Sequence, residues 1–76
     1  MDKFIQNIKE LYFSHVNVDI YADSKRLVIE IKKDAVFSYY PVKGLLEIKD
    51  PLIVSSGLEI MKLYNNQVGD TNEDEK

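Results

Sequence analysis
The one histidine, His15, stands beside Ser14 and four residues before Asp19. These are the residue types that supply a nucleophile, a base and an orienting carboxylate. On an extended segment adjacent side chains point apart, and no glycine turn lies close by to offer backbone N–H groups to an oxyanion. The spacing therefore reads as a histidine at a helix–strand junction, not a triad. Asp70, Asn72, Glu73, Asp74 and Glu75 are rich in oxygen ligands. They lack the spacing of a calcium loop and a flanking helix, so a solvated acidic tail is expected. Gly44, Gly57 and Gly69 are too scattered for a phosphate-binding loop. The chain has no cysteine, which excludes disulfides, thiolate nucleophiles and thiolate zinc sites. The expectation is a non-enzymatic protein with no catalytic residue, no cofactor and no metal.

A second kind of chemistry rests on cations and aromatics. Lys25, Arg26, Lys32, Lys33 and Lys43 cluster at the ends of the expected sheet, and Phe37, Tyr39 and Tyr40 share one run. Exposed aromatics on a strand can stack bases, and flanking cations can hold phosphates. The charge balance argues against that reading. The formal net charge is −3, and Asp70, Glu73, Asp74 and Glu75 against Lys76 carry the whole of it. The body of the chain is neutral, whereas nucleic-acid binders usually carry a basic excess. The opposite idea, an acidic decoy of nucleic acid, meets the same objection, because the charge lies on the tail. Phe37 and Tyr39 also share the parity of the expected core.

The elements that must position these residues follow from hydrophobic period. With 76 residues the chain makes one domain at most, and a domain of that size is marginal alone. Phe4, Ile5, Ile8, Leu11 and Tyr12 form one stripe of a helix over Asp2 to Ser14. From Val16 the period changes to two, with Val16, Val18 and Ile20 on one side and Leu27, Ile29 and Ile31 after the turn Ala22 to Lys25. Lys33-Asp34 reads as the next turn, Ala35 to Tyr40 as a third strand ended by Pro41, and Leu45 to Lys49 as a fourth after Lys43-Gly44. Asp50-Pro51 is a helix start, with Asp as cap and Pro in the first turn. Ser56 to Glu59 offers a rival start through a capping box, which would leave residues 52–55 extended. Ile53, Ser56, Gly57, Ile60, Met61 and Tyr64 then share a face, and the helix is expected to stop near Asn65-Asn66.

The expected fold is a two-layer α+β domain over residues 1–68: N-terminal helix, four-stranded antiparallel meander, C-terminal helix, then a flexible acidic tail over 69–76. The helices cover one sheet face, against Val16, Val18, Ile20, Leu27, Ile29, Ile31, Phe37, Tyr39, Leu46 and Ile48. The open face carries Asn17, Asp19, Tyr21, Val28, Glu30, Lys32, Val36, Ser38, Tyr40, Leu45, Glu47 and Lys49. One sheet end gathers Lys25, Arg26 and Lys43, and the other His15, Lys32, Lys33 and Lys49. Tyr21, Val28, Val36 and Tyr40 are the candidate partner-binding residues, since tyrosine supplies contact area at low entropic cost. The function expected is a protein–protein interaction module, an adaptor or inhibitor of phage or viral type, acting as a homodimer or on a protein partner. The alternative is a small nucleic-acid-binding module. No apolar run reaches the ~20 residues of a membrane helix, and the broken apolar pattern after Met1 is not a signal peptide. A cytoplasmic location without membrane contact is expected.

Overall fold
The computed structural model describes residues 2–74, with side chains up to Val68. Helix α1 (Asp2–Tyr12) is followed by strands β1 (Val18–Ala22), β2 (Leu27–Ile31), β3 (Asp34–Tyr40) and β4 (Leu45–Ile48). A 3-10 turn (Pro51–Ile53) then leads into helix α2 (Val54–Asp74). The strands lie in the order β1-β2-β3-β4, each antiparallel to the next. This is the two-layer α+β meander that the period change at the end of α1 implies.

The three turns are made by different devices. Between β1 and β2 the Asp23 carboxylate accepts the backbone N–H groups of Lys25 at 2.8 Å and Arg26 at 3.0 Å. That is the local capping that gives aspartate its turn preference. Between β2 and β3 the loop is Lys32-Lys33, with φ of 53° and 68°. Positive φ at both central residues is the backbone of the two-residue hairpin whose twist matches the strands. The turn thus lies one residue earlier than Lys33-Asp34, and Asp34 belongs to β3. Between β3 and β4, Gly44 takes φ of 66° and its N–H reaches the Pro41 carbonyl at 3.1 Å.

The helix layer covers one sheet face. Phe4, Ile8, Phe13, Val18, Ile20, Leu27, Ile29, Phe37, Ile53, Ile60 and Tyr64 form one buried cluster. Four expectations need correction. Val16 is exposed and precedes β1, because the chain is still turning there: its N–H reaches the Phe13 carbonyl at 3.1 Å. Leu11, counted in the α1 stripe, is 70% exposed, and Phe13, just past the helix, fills the core instead. Leu46 has core parity but lies on the edge strand β4 and stays exposed. Helix α2 does not stop at Asn65-Asn66, since Met61, Tyr64 and Val68 continue its buried stripe for another turn. The side chains from Gly69 on, and with them the expected flexible tail, lie outside the described residues.

The choice of helix start is resolved by hydrogen bonds. Asp50 Oδ1 accepts Leu52 N–H at 3.0 Å, and Pro51 opens the first turn. Ser56 does not cap a helix. Its hydroxyl donates back to the Ile53 carbonyl at 3.4 Å, and Glu59 instead accepts Tyr12 O–H at 3.1 Å, tying α2 to α1. Gly57 faces the sheet at close range. A Cβ there would lie 3.1 Å from Phe37 Cδ2 and 3.2 Å from Ile48 Cδ1.

Candidate functional site
The open face is built by period two and by register. Across its centre run Tyr21, Val28, Ser38 and Glu47, one from each strand. Toward one end the register sets Asp19 directly opposite Glu30, with Ala35 beyond. Like charges placed directly opposite on a sheet destabilise it modestly. Toward the other end Tyr40 lies across from Leu45. The alternation breaks once, at a bulge. Ile29 pairs with Phe37 and Glu30 with Ala35, so Val36 is the extra residue.

The four candidate partner residues have different fates. Tyr21 is 48% exposed, and Tyr40 is half-buried on the same face. Val28 is on that face but only 8% exposed, walled in by its cross-strand neighbours Tyr21 and Ser38. Val36 is half-buried and packs against the core cluster, because the bulge takes it out of the simple alternation. The exposed apolar area therefore sits at the Tyr40 end, where Leu45 is 50% exposed and Val42 88%. Val42 was not among the sequence candidates. Its signal was an apolar residue in Pro41-Val42-Lys43-Gly44, a stretch where turns usually place polar side chains.

The cations separate into two ends, as the meander requires. Lys25, Arg26 and Lys43 meet around Tyr40 and Val42 and line a hollow of about 370 Å³. Lys43 Nζ lies 5.5 Å from the Tyr40 ring centroid, a cation–π distance. At the opposite end His15, Lys32 and Lys33 share a 430 Å³ hollow with Asp19. Lys49 does not join them and lines a separate hollow beside Asp34 and Asp50. The five residues of β2 keep the two ends about 16 Å apart.

Of the three strand aromatics, only Tyr40 faces the open side. Phe37 is fully buried, and Tyr39 points into the helix layer, where its hydroxyl donates to Asn65 Oδ1 at 3.0 Å and its ring meets Tyr64 edge-on at 5.8 Å. Tyr64 is itself fully buried and donates to the Asp23 carbonyl at 2.6 Å, so the β1–β2 turn is anchored to the core from beneath. Burial pushes the Tyr64 phenol above its ordinary pKa, and the nearby Asp23 charge adds to this. The backbone N–H of Lys25, then that of Arg26, holds the Asp23 carboxyl below its ordinary value.

Ser14 and His15 line different hollows, and no hydrogen bond links His15 to Ser14 or Asp19 among the described residues. Among those residues no group of three potential ligands is placed to hold a metal ion, and no helix is long and apolar enough to cross a membrane. No protein-family model, curated protein or solved structure matches this chain.

Proposed function
We propose that the chain is a non-enzymatic protein–protein interaction module, a small adaptor or inhibitor, which meets its partner through the open face of the sheet. The observation that carries this reading is the division of labour between the two faces. Both helices cover one face, while the other keeps Tyr21, Tyr40 and Leu45 accessible beside charges of both signs. Tyrosine with arginine is the composition of interface hot spots. A homodimer is one form of the same reading, because β1 and β4 both end the sheet with unpaired edges. The charge pattern and the absence of cysteine fit a cytoplasmic adaptor of phage or viral type.

The test compares capture from the native host by the intact chain, by a Tyr21→Asp/Tyr40→Asp variant and by a Leu11→Asp control on the helix layer. Proteins that disappear from the first variant and persist on the control support the reading. Equal capture by all three refutes it. Sedimentation tests the dimer, and a species of 8.8 kDa at high concentration excludes it.

The alternative, a nucleic-acid-binding module, keeps one specific support: Lys25, Arg26 and Lys43 gathered around an exposed-side tyrosine. A salt titration with single-stranded and duplex DNA decides it, because phosphate contacts weaken steeply with salt.

A further inference from the structure
We infer that the hollow between the β1–β2 and β3–β4 turns is the docking point for an acidic polypeptide segment carrying an apolar or aromatic anchor residue. The inference rests on the protein-binding reading above and names the chemistry of the partner. Lys25, Arg26 and Lys43 ring the hollow, and Tyr40 and Val42 complete its lining. Its 370 Å³ lies within the ~300–1,000 Å³ of ligand sites, enough for one large side chain.

Three features make this end a site. The first is a local excess of positive charge. Lys25, Arg26 and Lys43 line the hollow, and the carboxylate of the adjoining turn, Asp23, accepts the backbone N–H groups of Lys25 and Arg26 and offsets only one of the three cations. The second is rigidity. The Asp23 turn is held by its own carboxylate, by an N–H to the Arg26 carbonyl at 3.1 Å and by Tyr64 from the core. The facing turn is closed by the Gly44–Pro41 hydrogen bond. Turns already ordered lose little entropy when they bind. The third is apolar area beside the cations. Val42 is 88% exposed and Leu45 50%, whereas Val28 in the centre is 8% exposed and has little left to bury. An anchor seated on Tyr40 and Val42 would exclude water from the rim and strengthen each charge pair there.

The same geometry disfavours a nucleic-acid strand. A phosphate chain leaving this end along the sheet meets Glu47 and then the opposed pair Asp19 and Glu30 before it reaches Lys32 and Lys33. A short acidic peptide ends before that row.

The experiment selects short displayed peptides from a random library on the intact chain, then measures the enriched peptides by fluorescence anisotropy. The variants are Lys25→Glu/Arg26→Glu and, separately, Val42→Asp. All three side chains are exposed, and circular dichroism confirms that each variant is folded. Carboxylates flanking an aromatic or branched aliphatic residue should be enriched, with binding weakened about tenfold or more by either variant and by raised salt. Three results overturn the inference: no enrichment, enriched peptides without acidic excess, or equal binding to the charge-reversed variant. Competition by an oligothymidylate that depends on the same cations would instead favour nucleic acid. If peptide selection fails while host capture still depends on Tyr21 and Tyr40, the inference falls and the broader reading stands. If both fail, both fall.

Discussion

Replacing Gly57 by alanine sets two opposed effects of similar size against each other, and the packing decides the sign. In an exposed helix the change would stabilise by about 1 kcal/mol, because alanine has the better helix propensity. Here the new methyl would lie 3.1 and 3.2 Å from two atoms of the Phe37 ring and 3.2 Å from Ile48 Cδ1. Carbon atoms sit comfortably at about 3.5–4.0 Å, so three contacts are short by several tenths of an ångström. Ile48 is half-buried, and its terminal methyl can turn away. Phe37 cannot, because it is fully buried on an inner strand opposite the equally buried Ile29. Overpacking a filled core costs about 1–3 kcal/mol. Gly57→Ala should therefore destabilise by about 1 kcal/mol net, which lowers the melting temperature by about 4–8 °C in a domain of this size. The assay is urea and thermal unfolding of the single variant, of Phe37→Leu and of the double variant. The double should cost less than the sum of the singles, since the smaller side chain makes room for the methyl. If Gly57→Ala raises stability by the full propensity gain, α2 does not lie against Phe37 and the account of the core is wrong.

Four other outcomes are expected. Lys33→Gly should stabilise by about 0.5–1 kcal/mol in urea unfolding, because Lys33 holds φ of 68° and glycine escapes the ~1–2 kcal/mol cost of that region at some loss of chain entropy. Tyr64→Phe should destabilise by about 1–2 kcal/mol, since it removes the 2.6 Å hydrogen bond and strands the Asp23 carbonyl. Tyr64 also sets an alkaline limit. Its phenol is raised above the ordinary 10.0, so the folded state holds this proton longer than the unfolded chain and stability falls as pH rises from about 10 through the raised value. That part of the decline should be missing from Tyr64→Phe in unfolding curves taken across alkaline pH. Asp23 acts at the acid end. Its carboxyl is lowered below 3.8, so its contribution is present above that pH and is lost as pH falls through the lowered value, a loss that Asp23→Asn should remove.

Most of the fold was legible because each element carried a local signal that agreed with its neighbours. The change from period 3.6 to period 2 placed α1 and β1, and Asp50-Pro51 placed the helix start that the hydrogen bond to Leu52 N–H confirms. The misses share a cause, which is that pattern reports parity and not environment. Leu46 has the parity of the core but lies on an edge strand with a neighbour on one side only, and stays exposed. Lys32-Lys33 gives no turn signal, since neither residue favours positive φ, and only the pairing of Ile31 with Asp34 imposes it. Gly57 is a poor helix former by propensity. It is the residue that lets the helix approach the sheet.

The candidate site was legible in its charges and misjudged in its apolar part, for a related reason. Alternation put Tyr21, Val28 and Tyr40 on one face correctly, yet it is silent on how much of each neighbour covers the next. Val28 is flanked on both sides by paired strands and ends up enclosed, while Val42, in a turn with no strand beside it, is left open. The cations behaved differently because turns have no lateral neighbours to hide them. Lys25 and Arg26 leave one turn and Lys43 another, far apart in sequence, and the pairing of Leu27 with Tyr39 brings the two turns to the same end of the sheet. That register follows from the short hairpin at Lys32-Lys33 together with the bulge at Val36. Pairing the same residues without the bulge would set Val36 opposite Ile29 and Phe37 opposite Val28, and would turn Tyr40 to the helix side. The bulge at Val36, and not an unbroken ladder running on from the Lys32-Lys33 hairpin, thus keeps Tyr40 on the face where the cations gather.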